Sequence, residues 1–88
     1  MELEQLRDFA VLAETGSFSV AARRLYKSHS SVSRAVSALE RELGVTLCER
    51  DRRSFALTGA GRTLYDGARA LLAELDALGE KVKEAGGE

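Results

Sequence analysis

Residues 16–34 read Gly16-Ser17-Phe18-Ser19-Val20-Ala21-Ala22-Arg23-Arg24-Leu25-Tyr26-Lys27-Ser28-His29-Ser30-Ser31-Val32-Ser33-Arg34, and this stretch decides the fold. Gly16 suits a helix end, because glycine takes the left-handed closing conformation without a side-chain penalty. Ser17 follows as an N-cap. Phe18, Ala21, Ala22 and Leu25 then share one side of a short helix. Tyr26-Lys27-Ser28 interrupts the pattern. A third helix is expected from about Ser30 to Leu43, with Val32, Val36, Leu39 and Leu43 spaced four, three and four apart, and Gly44 stops it. Two helices joined by a tight polar turn make the helix-turn-helix layout.

Upstream, Leu3, Leu6, Ala10 and Ala13, flanked by Phe9 and Leu12, form the apolar face of a first helix. Downstream the period changes. Val45 and Leu47, then Phe55 and Leu57, alternate with polar neighbours as in two short strands, with Asp51-Arg52-Arg53-Ser54 as the hairpin loop. Such a hairpin must pack on the helices through Leu47, Phe55 and Leu57, because two strands do not stand alone in water. Thr58 is the expected N-cap of a last helix reaching about Ala85, and Gly59-Ala60-Gly61 lets the chain turn into it. The fold class is mainly α: a winged helix-turn-helix of three helices and a two-stranded hairpin, followed by a long helix. The expected division is 1–58 for the winged domain and 59–88 for the linker helix.

Leu64, Ala68, Leu71, Leu75, Leu78 and Val82 recur at alternating steps of four and three, the rhythm of a coiled-coil seam, and Leu72 widens the stripe. So small a body cannot cover so long a stripe, which predicts a partner helix from a second chain. The alternative is a helix folded back along its own domain. Gly67 and Gly79 each weaken it by roughly 1 kcal/mol relative to alanine, so the helix is expected to depend on that partner.

The polar face of the third helix carries Ser30, Arg34, Ser37 and Arg41, with Ser31 at its edge. It can be a plain solvated face, but small residues with arginines also suit the major groove. There an α-helix fits, and Arg reaches guanine edges or phosphates. The whole chain has 13 basic against 14 acidic residues, which argues against a polyanionic partner. Its segments say otherwise. Residues 17–53 hold eight basic and four acidic side chains, net +4; residues 1–16 are net -3 and residues 54–88 net -2. Local positive charge governs phosphate affinity.

Other chemistry is poorly supplied. One Cys and one His cannot build a zinc cluster or an internal disulfide, and no cofactor is expected. His29 beside Ser28, Ser30 and Ser31 could suggest a hydrolytic pair, but the neighbourhood offers no third group to orient the imidazole. No enzyme is expected. Cys48 reads as a small buried hydrophobe, since redox sensing needs a lowered pKa and exposure, though Arg50 lies close in sequence. No apolar run approaches the roughly 20 residues of a membrane span, and the acidic start lacks a secretory pattern. The expected setting is cytoplasmic.

Several runs together resemble the LysR-type transcriptional regulators. These are Leu3, Leu6, Phe9 and Val11; Gly16 to Leu25; Ser28 to Arg34; Leu39-Glu40; Leu43 to Arg50; and Leu57-Thr58-Gly59-Ala60-Gly61. The resemblance implies sequence-specific binding of a double-stranded DNA operator, an interrupted palindrome, by a homodimer paired through the linker helix. It further implies tetramers in a full-length protein and a C-terminal effector domain beyond the present chain, which would make this chain a DNA-binding fragment. The expected base readers are His29, Ser30, Ser33 and Arg34, with Ser33 resting mainly on the resemblance. Phosphate or minor-groove contacts are expected from Thr15, Ser17, Ser31, Ser37 and Arg41, and from Arg52 and Arg53 in the wing. Leu64, Ala68, Leu71, Leu75, Leu78 and Val82 are the expected dimer residues. Three positions depart from the family: His29 and Ala35 stand where glutamine is usual, and Cys48 where an aromatic is usual. A protein-interaction module built on the same helices is the rival reading, which the basic 17–53 segment disfavours.

Overall fold

Helix boundaries follow the capping residues closely. The computed structural model describes residues 1–51 and 54–87, with α1 at Leu3–Thr15, α2 at Phe18–Leu25, α3 at His29–Leu43 and α4 at Gly59–Gly86. Gly16 closes α1 at φ 67°, its N–H donating to the Leu12 carbonyl at 2.8 Å. Ser17 Oγ accepts from the Val20 N–H at 3.2 Å and opens α2. Ser28 does the same for α3, accepting from Ser31 at 3.1 Å, so that helix starts one residue earlier than expected. Gly44 ends it at φ 69°.

Phe9 and Leu12 of α1, Ala21 and Ala22 of α2, and Val32, Val36 and Leu39 of α3 form a single core. The three helices thereby cover one another's apolar faces. β1 (Cys48–Arg50) and β2 (Phe55–Leu57) pair antiparallel, Cys48 opposite Leu57 and Arg50 opposite Phe55. Phe55 and Leu57 pack on the core as expected.

Val45 and Leu47 fall outside the strand, which corrects the sequence expectation. The Leu47 N–H donates to the Glu40 carboxylate at 2.8 Å, and its carbonyl accepts from Thr58 at 3.0 Å. The N–H is thus held by α3, and Leu47 sits in the core while Val45 stays exposed.

Thr58 caps α4, accepting from the Gly61 N–H at 3.0 Å and donating to the Thr46 carbonyl at 2.6 Å. Gly61, Ala68 and Leu72 are buried against the body. Past Leu72 the helix is exposed, and its projection gives the molecule a long axis of 53 Å against 25 and 18 Å. No helix among the described residues is long and apolar enough to cross a membrane.

Candidate nucleic-acid interface

The start of α2, the start of α3 and the base of the hairpin converge on one cleft of about 590 Å³. Ser17, Phe18, His29, Arg50 and Ser54 line it. The His29 ring lies 5.2 Å from the Phe18 ring, tilted by 34°. The Arg50 guanidinium stands 4.5 Å over the same Phe18 ring, and Phe55 meets that ring edge-on at 6.4 Å. Neither Phe18 nor Arg50 was among the expected site residues. Sequence shows an apolar residue of α2 and an arginine of a strand, but not that both reach the tip of α3.

His29 and Ser30 are exposed in the first turn of α3, with Ser30 Oγ 3.2 Å from Ser28 Oγ. Arg34 and Arg41 are exposed about one and about three turns further along the helix, while Ser31, Ser33 and Ser37 are half-buried. Among the described residues neither arginine is in an ion pair, so both guanidinium groups keep their five donors for an external acceptor. Ser31, Arg34 and Arg41 border a second cleft, whose far wall is Glu4 and Asp8 of α1.

Lys27 is not available in the same way. Its ammonium donates to Glu4 and to both oxygens of buried Asp8, at 3.0 and 3.1 Å for Asp8. Hydrogen bonds to Glu4 first and Asp8 second raise its pKa, and the same bond from Lys27 lowers that of Glu4. One of the eight basic residues counted in 17–53 is therefore already neutralised by α1. The signal was present as Glu4 and Asp8 one helical turn apart, but which cation meets them is set by the packing of α2 on α1.

Thr15, expected at a phosphate, has its hydroxyl turned into the α1–α2 turn. Its hydroxyl lies 3.3 Å from the Leu12 carbonyl and 3.1 Å from the Ser17 carbonyl, and accepts from the Ser17 N–H, so its proton is engaged in the turn. Ser17 differs: its oxygen caps α2 as an acceptor, and among the described residues its hydroxyl proton has no acceptor. Arg52 and Arg53, expected at the wing, lie outside the described residues. Cys48 is buried, and burial pushes its thiol pKa up, outweighing the hydrogen bond that Arg50 donates to Sγ at 3.3 Å. That is the environment of an inert thiol.

The heptad residues divide. Ala68 is covered by its own domain, at 1% exposure, and Leu64 packs beside the core. Leu71, Leu75, Leu78 and Val82 are exposed, and the first three line a groove of about 510 Å³ together with Leu3. The expected seam is therefore used by the domain itself in its first two positions.

The family model of the bacterial regulatory helix-turn-helix proteins of the lysR family matches residues 3–62. The transcriptional regulator ClcR of Pseudomonas putida is 49% identical over 72 residues, covering 82% of this chain and 24% of ClcR. The chain spans about a quarter to a third of the length of curated relatives such as ClcR, TfdT and AaeR. Among solved structures, the BenM DNA-binding domain in complex with catB site 1 DNA superposes with a TM-score of 0.95 at 35% identity, covering 100% of this chain and 99% of that one. The CbnR DNA-binding domain in complex with DNA gives 0.90 at 38% identity, covering 98% and 99%.

Proposed function

Since this chain belongs to the LysR family of bacterial helix-turn-helix regulators, we propose that it binds double-stranded DNA sequence-specifically, with α3 in the major groove and the hairpin wing at the backbone or minor groove. The observation that carries the reading is Arg34, exposed and in no ion pair among the described residues, one turn along α3 from the exposed Ser30. An arginine so placed can bond O6 and N7 of a guanine together, the commonest specific contact in the major groove. Ser33 is half-buried, and its assignment to a base rests mainly on the family resemblance. Ser17, Ser31, Ser37 and Arg41 would hold phosphates, with Arg52 and Arg53 at the wing. The relatives are regulators and this chain is read as a DNA reader without catalysis, acting in the cytoplasm. Residues 1–58, closed by the first turns of α4 through Gly61, Ala68 and Leu72, would form the reader, and the exposed part of α4 beyond Leu72 would join two copies and place two readers on the halves of an interrupted palindrome.

Selection of bound duplexes from a random pool tests this directly. A defined pair of half-sites is expected, with Arg34→Ala losing on the order of 1–3 kcal/mol at one base pair and relaxing preference there. Equal loss on selected and random DNA would refute the role of Arg34. A pool that never converges would refute specific binding altogether.

A further inference from the structure

We infer that Phe18 is a positioning residue for base reading: its ring seats the His29 imidazole at the tip of α3 and, through Arg50, ties that seat to the wing. An exposed side chain on the first turn of a helix has two free torsions, whereas a base contact must be held within about 0.5 Å and 10–20°. His29 has no hydrogen-bond partner among the described residues that would fix it. What it has is the Phe18 face at 5.2 Å. Arg50 rests on that ring at 4.5 Å and is itself anchored by its bond to the buried Cys48 sulfur at 3.3 Å. The edge of Phe55, from β2, braces the ring at 6.4 Å. Three segments distant in sequence thus meet on one aromatic face: α2 supplies the ring, α3 the imidazole, and the hairpin the cation and the brace. Leucine at 18 would still fill the space but has neither a flat face for stacking nor a quadrupole to hold the guanidinium.

This inference rests on His29 contacting a base, and the experiment separates the two. Binding of the 88-residue chain to its best selected duplex is compared with binding to every single-base variant of that duplex. His29→Ala first identifies the base pair at which discrimination falls. Phe18→Leu is then expected to lower discrimination at that same pair by about three- to tenfold, and to change discrimination at the other pairs by clearly less. Phe18→Tyr, which keeps the face, should restore it, and Phe18→Leu should add nothing in the His29→Ala background. Arg50→Gln, a surface change that cannot empty the core, should lower discrimination at the same pair by a smaller factor. If His29→Ala alters no base preference, the base-reading role fails and the positioning role falls with it. If His29→Ala alters one pair and Phe18→Leu leaves that pair untouched, or weakens all duplexes alike, the positioning role alone is overturned.

Discussion

The carbonyl carbon of Leu47 stands 2.9 Å from the point where a β-carbon on Gly61 would sit, and the Leu47 oxygen is closer still. This approach of two backbones brings the first turn of α4 onto the segment that leads into β1, and only glycine permits it. Gly61→Ala must push the helix off the core or distort the Thr58 cap, and should cost about 1–3 kcal/mol or more. For a domain of this size each kcal/mol lowers Tm by roughly 4–8 °C. Gly67 lies in the same helix, and a β-carbon added there would meet nothing within 4 Å. Gly67→Ala should therefore stabilise by roughly 1 kcal/mol. Thermal unfolding of the pair checks both signs at once.

Lys27 bridges two acidic residues of α1, and this sets a pH dependence. The Glu4 carboxyl is held below its ordinary range, so its contribution is present above that range and lost as pH falls through the lowered folded value. The Lys27 ammonium is raised, so its contribution is present below about 10.4 and lost as pH climbs through the raised folded value. Stability should hold between about pH 5 and about pH 10 and fall on both sides. Lys27→Met should flatten both arms and, by leaving buried Asp8 without its cation, cost about 1–3 kcal/mol at neutral pH. The same variant should leave the salt slope of DNA binding unchanged, whereas Arg41→Ala should reduce it by about one. Equal slopes for the two variants would mean that Lys27 also meets phosphate.

Cys48 should resist thiol reagents in the folded protein. The residue is 5% exposed, and burial raises its pKa, so the thiolate that reacts is scarce at neutral pH. Labelling with a chromogenic disulfide at neutral to mildly alkaline pH should be slow in buffer and become rapid in denaturant. A fast folded-state reaction would contradict the burial.

Much of this architecture is local and therefore legible. Gly16, Ser17, Gly44 and Thr58 mark helix ends through bonds spanning only three or four residues, and the periodicity of Val32, Val36 and Leu39 names a buried face without help from the rest of the chain. The illegible parts depend on elements meeting. Leu47 leaves the strand because Glu40, seven residues earlier, takes its N–H. Lys27 reads as a free cation until α2 is laid on α1. Phe18, His29 and Arg50 come from three segments with no shared pattern, yet they form the candidate site's cleft. The heptad rhythm of α4 has the same difficulty, since a helix face covered by its own domain and one covered by a partner have the same spacing. Only burial separates Ala68 from Leu75.

That separation directs where dimerisation should be broken. Ala68 and Leu72 are packed against the chain's own body, and a charge at either would unfold it rather than dissociate it. Leu75 and Leu78 are exposed by 37% and 58% and touch the core of neither the hairpin nor the helices. Replacing both with Glu should leave the helical content and the domain's unfolding intact while removing the apolar surface two copies would share. Sedimentation should show monomers, and affinity for a two-half-site duplex should fall by about 100-fold or more, because linked binding at the second half-site is lost. Affinity for a single half-site should barely change. A dimer that survives both substitutions would relocate the interface to the apolar groove lined by Leu6, Leu43, Val45 and Leu64. Leu43→Glu with Val45→Glu would then be the dissociating pair.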